Sequence, residues 1–147
     1  MSVRDLVLAA ATGSIVPTAW AFTYSSIYPG VTPPTQARMS DGNSNTYWGS
    51  NSGANWLMAD FGAPKLVSRV MLRAVPASAP GGWGVNYLNG RVLQSSDSPS
   101  GPWTNLLTIS GTSETVTTTH PLTTPVTAQY IRISGTGFTG ASEFYFE

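Results

Sequence analysis

After Gly13 the hydrophobic pattern of this chain changes to period two, and that alternation restricts it to strands. Ala128–Ser134 (A-Q-Y-I-R-I-S) is the clearest strand in the chain. In Ala19–Ser25, Trp20, Phe22 and Tyr24 fall on one face. In Leu66–Val75, Val70, Leu72 and Ala74 alternate with Met71 and Arg73. Trp56–Phe61, Arg91–Ser95, Leu106–Ile109, Thr115–Thr119 and Ser142–Phe146 complete the set. Proline and glycine punctuate them at Tyr28-Pro-Gly, Thr32-Pro-Pro, Gly62–Pro64 and Ser110-Gly-Thr. Short strands separated by such turns predict a β-sandwich or barrel. With 147 residues and no repeat or linker, one core is expected.

Residues 1–14 read differently. Ser2 and Asp5 make a capping-box-like start, and Val3, Leu6, Val7 and Ala10 share one helical face before Gly13. A signal peptide is the rival reading, but Asp5 interrupts its charged end and Leu6–Ala11 is short for its apolar region. A helix this short is marginal alone, so it is expected to dock on the 15–147 domain or on a partner.

Function classes fall away quickly. A formal net charge of +0, with scattered basic residues, offers no field for nucleic acid. No apolar run reaches the length of a membrane span. The absence of cysteine excludes disulfides and thiol chemistry. His120 stands without a nucleophile's partner and reads as a strand-edge or surface residue. Gly135–Gly140 matches G-x-G-x-x-G, but too few residues follow for the helix and strand of a dinucleotide site. No catalytic reading survives.

Two polar stretches remain. Arg38–Trp56 gathers Asp41, Asn43, Asn45 and Thr46, which build an Asx-turn loop with no ion or, equally, offer the oxygens a calcium ion prefers. Pro76–Tyr87 sets Trp83 among glycines, which reads as an exposed loop tip or as a lid folded over the core edge.

The order of features resembles the discoidin, or F5/8 type C, domain, including the family 32 carbohydrate-binding modules. The matching pieces are A-R-M-S-D-G-N-S-N-T-Y-W at Ala37–Trp48, N-W-L-M-A-D-F-G at Asn55–Gly62 and V-S-R-V-M-L at Val67–Leu72. L-Q-S-S-D-S-P-S-G-P-W at Leu93–Trp103, Ala128–Ser134 and A-S-E-F at Ala141–Phe144 follow. The resemblance covers Trp20 to Glu147 and implies an all-β, galactose-binding-like, eight-stranded jelly-roll β-sandwich with Trp48, Trp56 and Trp103 in its core. It further implies a structural Ca2+ held by Asp41, Asn43, Thr46 and Glu143, with backbone carbonyls near Arg38 and Ala141. Such an ion would staple the last strand to the early loop in a chain without disulfides.

In the resembled fold, ligands sit among loops at one end of the sandwich, where Ser26–Gln36 and Pro76–Tyr87 would lie. Trp83, Tyr28, Asn86 and Tyr87 are the ligand-binding candidates, with Arg38 as a polar partner. The expected function is non-catalytic recognition of a cell-surface glycan or polysaccharide, in an extracellular setting of bacterial or phage origin. The alternative is a structural virion protein (a phage tail, spike or head-fibre subunit) whose leading helix docks or makes a homo-oligomer. Lipid-headgroup or protein binding is a third reading, which the neutral charge disfavours.

Overall fold

The computed structural model describes residues 20–147, so the expected helix at Ser2–Gly13 lies outside the described residues. Eight strands are present in that span: β1 (Ala21–Tyr24), β2 (Trp48–Gly49), β3 (Ala54–Arg73), β4 (Val92–Ser96), β5 (Thr104–Thr108), β6 (Thr118–Thr136), β7 (Gly140–Ala141) and β8 (Glu143–Phe146). Two short 3₁₀ turns, Arg38–Ser40 and Val85–Tyr87, interrupt the loops.

Two long strands make the frame. β3 and β6 pair antiparallel along nearly their whole length, from Ala54↔Thr136 to Leu72↔Thr118. β4 adds to β6 and β5 to β4, while β1 and β8 divide the other edge of β3. Gly62–Pro64, expected as a turn between two strands, is instead a kink within one continuous strand. Gly62 sits at φ 72, a left-handed conformation that suits glycine, and its N–H donates to Asp60 Oδ1 at 2.8 Å. The ladder shifts register between Asp60 and Lys65 and then resumes. The expected strands Thr115–Thr119 and Ala128–Ser134 likewise merge into β6, which carries a matching irregularity.

The kink is what makes a sandwich. β1 pairs with the first half of β3 and β8 with the second, yet Phe22 of β1 meets Phe144 of β8 with ring centroids 5.8 Å apart. Trp20 meets Phe146 edge-to-face at 5.6 Å. The two halves therefore face each other across one core, which holds Trp48, Leu57, Ala59, Phe61, Val70, Leu72, Leu93, Ile131, Ile133, Phe144 and Phe146. Burial of this apolar surface is the main stabilising term.

Of the three tryptophans expected in the core, only Trp48 is there, with its Nε1–H donated to the Ser26 carbonyl at 3.1 Å. Trp56 and Trp103 are half-buried. Alternation along β3 turns Leu57, Ala59 and Phe61 inward and leaves Trp56 on the opposite face. Trp103 lies beneath the Arg132 guanidinium, 3.8 Å from its ring centroid. Last, the β2–β7 pairing sets Trp48 against Ala141 and Gly49 against Gly140. It brings the early polar loop beside the final strand.

Candidate functional site

Two clusters lie on either side of that β2–β7 junction. The first is made of oxygen. Asp41 caps its own turn, accepting the Asn43 N–H on Oδ1 at 2.7 Å, and Asn43 Oδ1 accepts the Asn45 N–H at 3.0 Å. Asn43 therefore contributes its carbonyl to the cluster and spends its side chain on the turn. Thr46 Oγ1 lies 2.9 and 2.7 Å from the two Asp41 carboxylate oxygens, 2.8 Å from the Asn43 carbonyl and 3.2 Å from the Arg38 carbonyl. One hydroxyl hydrogen serves only one such acceptor at a time, so the cluster has a surplus of lone pairs.

Glu143, from the far end of the chain, joins this surplus. It is buried near Asp41 and the Gly42 backbone, and its Oε1 has no partner among the described residues. Burial, then the Asp41 charge, pushes Glu143 up to about 7 from its usual 4.5, against the pull of the Gly42 amide and of Arg73. A buried carboxylate oxygen left unpartnered is costly unless something positive meets it. Among the described residues no group of three or more acidic or histidine side chains forms, so a cation here would depend on neutral oxygens as well. The donor set, two carboxylates with carbonyl and hydroxyl oxygens, fits calcium.

The second cluster is aromatic. Tyr28, Trp83, Tyr87, Phe138 and Gly81 line a pocket of about 210 Å³. Trp83 is its floor: Tyr28, Tyr87 and Phe138 stand 5.4, 5.6 and 6.4 Å from it, all near edge-to-face. The expectation of an exposed Trp83 is therefore corrected, because only 4% of the residue is exposed and the lid-like alternative describes it better. The neighbouring glycines make room for the indole. A Cβ on Gly49 would stand 2.5 Å from its Cζ2, and one on Gly140 would stand 2.9 Å from its Cε3. The indole Nε1–H is satisfied by the Pro80 carbonyl at 2.8 Å.

Phe138 escaped the sequence reading, although it too sits among glycines, in G-T-G-F-T-G. It is 38% exposed at the rim of the pocket. Its loop is held rigidly. Arg91 donates to the Phe138 carbonyl at 2.6 Å and to Thr139 Oγ1 at 2.8 Å, Asn55 Nδ2 donates to the Gly137 carbonyl, and Ser50 exchanges bonds with Thr139. On the other wall, Tyr28 donates its N–H to the Gly49 carbonyl at 2.7 Å, and Glu114 fixes the 76–84 loop by accepting the Ala77 N–H at 3.0 Å.

The structure thus brings together Tyr28, Trp83 and Tyr87 of the sequence candidates. Asn86 is exposed on the 3₁₀ turn beside Tyr87, outside the pocket lining. Arg38 lines a different pocket, of about 230 Å³, with Asn45, Tyr47 and Pro80. His120 is half-buried on β6 with its Nε2 2.8 Å from Thr118 Oγ1, and burial lowers its pKa. Among the described residues no helix is long and apolar enough to cross a membrane.

The F5/8 type C domain family profile matches residues 21–144. No curated protein sequence matches the chain. Among solved structures, a family 32 carbohydrate-binding module of Clostridium perfringens in complex with GalNAc-β-1,3-galactose superposes with a TM-score of 0.67 at 14% identity, covering 90% of this chain and 99% of its own. The family 32 module of NanJ from C. perfringens, in complex with galactose, gives 0.68 at 16% identity over 91% and 97%. Chitosan-binding module 1 of the chitosanase/glucanase of Paenibacillus sp. IK-5 gives 0.64 at 25% identity over 90% and 98%. These neighbours are carbohydrate-binding modules.

Proposed function

This chain belongs to the F5/8 type C domain family, and on that footing we propose that it is a non-catalytic carbohydrate-binding module whose glycan seat is the pocket of Tyr28, Trp83, Tyr87 and Phe138. The observation that carries this reading is the exposed Phe138 ring at the rim of an uncharged aromatic pocket, on a loop tied down by Arg91, Asn55 and Ser50. Aromatic faces carry negative charge density and attract the polarised C–H groups of a pyranose, while the rim leaves its hydroxyls to polar neighbours such as Asn86. The pocket is smaller than the usual range for drug-sized ligands, which suits a single sugar ring rather than a buried chain. A loop held in place before binding loses little conformational freedom on complex formation.

Calorimetric titration with galactose, N-acetylgalactosamine, chitosan oligosaccharides and plant and bacterial polysaccharides tests it. Binding to at least one, weakened about tenfold or more by Phe138→Ala with the melting temperature kept, is the expected result. Silence across the panel, or binding indifferent to Phe138→Ala and Tyr28→Ala together, overturns it.

The oxygen cluster serves stability under this reading. We infer that Asp41, Thr46 and Glu143, with the carbonyls of Arg38 and Asn43, hold a structural calcium. The support is the surplus of acceptors around Thr46 and the unpartnered Glu143 Oε1.

A further inference from the structure

Among the arginines of the described residues, one is left without a partner for its side chain. Arg69 is paired with Glu147 at 2.7 Å, Arg73 donates to the Glu114 and Gly42 carbonyls, Arg91 holds the Phe138 loop, and Arg132 is bonded to Gln94 over Trp103. Arg38 differs from all of these. Among the described residues its side chain makes no hydrogen bond or ion pair, and its Nε is buried without a partner. It lines the second pocket with Asn45, Tyr47 and Pro80, and no acidic side chain shares that lining.

This pocket adjoins the aromatic one through a common wall. The Pro80 carbonyl accepts both the Tyr47 hydroxyl, at 3.2 Å, and the Trp83 indole N–H, at 2.8 Å. Tyr47 lines the arginine pocket while its ring packs 6.2 Å from Trp83, the floor of the other. Gly30 belongs to one lining and Tyr28 to the other. A ligand longer than one sugar ring that seats in the aromatic pocket therefore has a route past Tyr47 to a free guanidinium.

We propose that the glycan bound here is anionic, with a carboxylate or sulfate ester on the residue next to the stacked ring received by Arg38; this rests on the glycan reading above. A guanidinium presents a planar fork of donors that matches such oxyanions, and charge-assisted bonds of this kind are among the strongest available to a side chain. Asn45 and the Tyr47 hydroxyl supply neutral groups for the sugar's own hydroxyls. A neutral glycan would offer this guanidinium only hydroxyl oxygens, weaker acceptors than a carboxylate or a sulfate ester.

Two matched pairs of probes separate the charge from the sugar. One is an oligogalacturonide and the same oligomer with its carboxyls methyl-esterified; the other is a sulfated galactan oligosaccharide and its desulfated form. The intact protein is expected to prefer the charged member of one pair by about tenfold or more, and the pair concerned identifies carboxylate or sulfate. Arg38→Gln is expected to abolish the preference within the pair, whereas Phe138→Ala weakens both members and keeps the preference. Arg38→Lys, which keeps the charge without the fork, is expected to fall between. Equal affinity within both pairs, or a preference that survives Arg38→Gln, overturns the proposal without touching the glycan reading. Failure to bind all four probes also overturns it, and the glycan reading then stands or falls on the neutral panel.

Discussion

The oxygen cluster and the aromatic pocket are neighbours built by opposite means. Around Thr46 the chain packs more hydrogen-bond acceptors than it has donors, and a buried acid from the last strand adds another. Around Trp83 each need is met from within: the indole N–H has the Pro80 carbonyl, the ring has its aromatic neighbours, and glycines on β2 and β7 leave it space. One region has acceptors to spare. The other is complete and offers its rim. What stabilises the first should therefore depend on the solution, and what stabilises the second on the side chains alone.

The strongest way to break that contrast is Trp83→Ala, which empties the floor of the pocket. Loss of a buried tryptophan is expected to lower stability by about 3–5 kcal/mol, with or without calcium, as read from the denaturant midpoint. A loss below about 1 kcal/mol would mean that the pocket stands without its floor. Next comes the ion. Chelation is expected to lower stability by about 3–4 kcal/mol relative to calcium at several hundred times its dissociation constant, and Glu143→Gln to remove most of that response. A melting temperature indifferent to both chelator and calcium would refute the calcium reading.

The same acid gives a pH signature. Its folded pKa, about 7, is raised above the ordinary 4.5. The contribution of Glu143 to the chelated protein is therefore fully present below about pH 4.5 and is lost as pH rises through about 7. The melting temperature of the chelated wild type should fall relative to that of Glu143→Gln across this window, and calcium should flatten the difference. A parallel pair of profiles would show that Glu143 titrates normally.

Smaller effects test the pocket's fit. Gly49→Ala places a methyl 2.5 Å from the Trp83 ring and is expected to cost about 1–3 kcal/mol, insensitive to calcium. Phe138→Ala removes a ring that is already 38% exposed, so less than about 1 kcal/mol of stability should go with it while glycan affinity drops. If Phe138→Ala destabilised the fold as much as Gly49→Ala, the division between floor and rim would not hold.

The two regions also differ in how well the sequence announced them. D-G-N-S-N-T states its geometry locally, because Asp41, Asn43 and Thr46 bond to one another within a single turn. The pocket draws Tyr28, Trp83, Tyr87 and Phe138 from separate loops, and no local pattern records their meeting. Neighbouring glycines were an ambiguous signal. Beside Phe138 they accompany an exposed ring, whereas around Trp83, Gly49 and Gly140 supply the space in which the indole is buried. Period-two alternation revealed the strands but not their continuity, since Gly62–Pro64 looks the same in sequence whether the chain reverses or merely kinks. Trp56, which the resemblance placed in the core, lies one step of that alternation away from the inward residue, Leu57.

The long β3–β6 ladder has a consequence in time. Ala54 pairs with Thr136 and Leu72 with Thr118, so every rung joins distant parts of the chain, and the intervening segment carries Trp83, Tyr87, β4 and β5. Closing such loops loses entropy before contacts repay it, which places this fold among the slow ones, in milliseconds to seconds. Phe138 is positioned by Asn55 and Arg91, and Gly49 and Gly140 meet only through the β2–β7 bridge that follows. Assembly must therefore be nearly finished before the aromatic pocket exists at all. Recovery of ligand binding during refolding should lag behind recovery of strand signal.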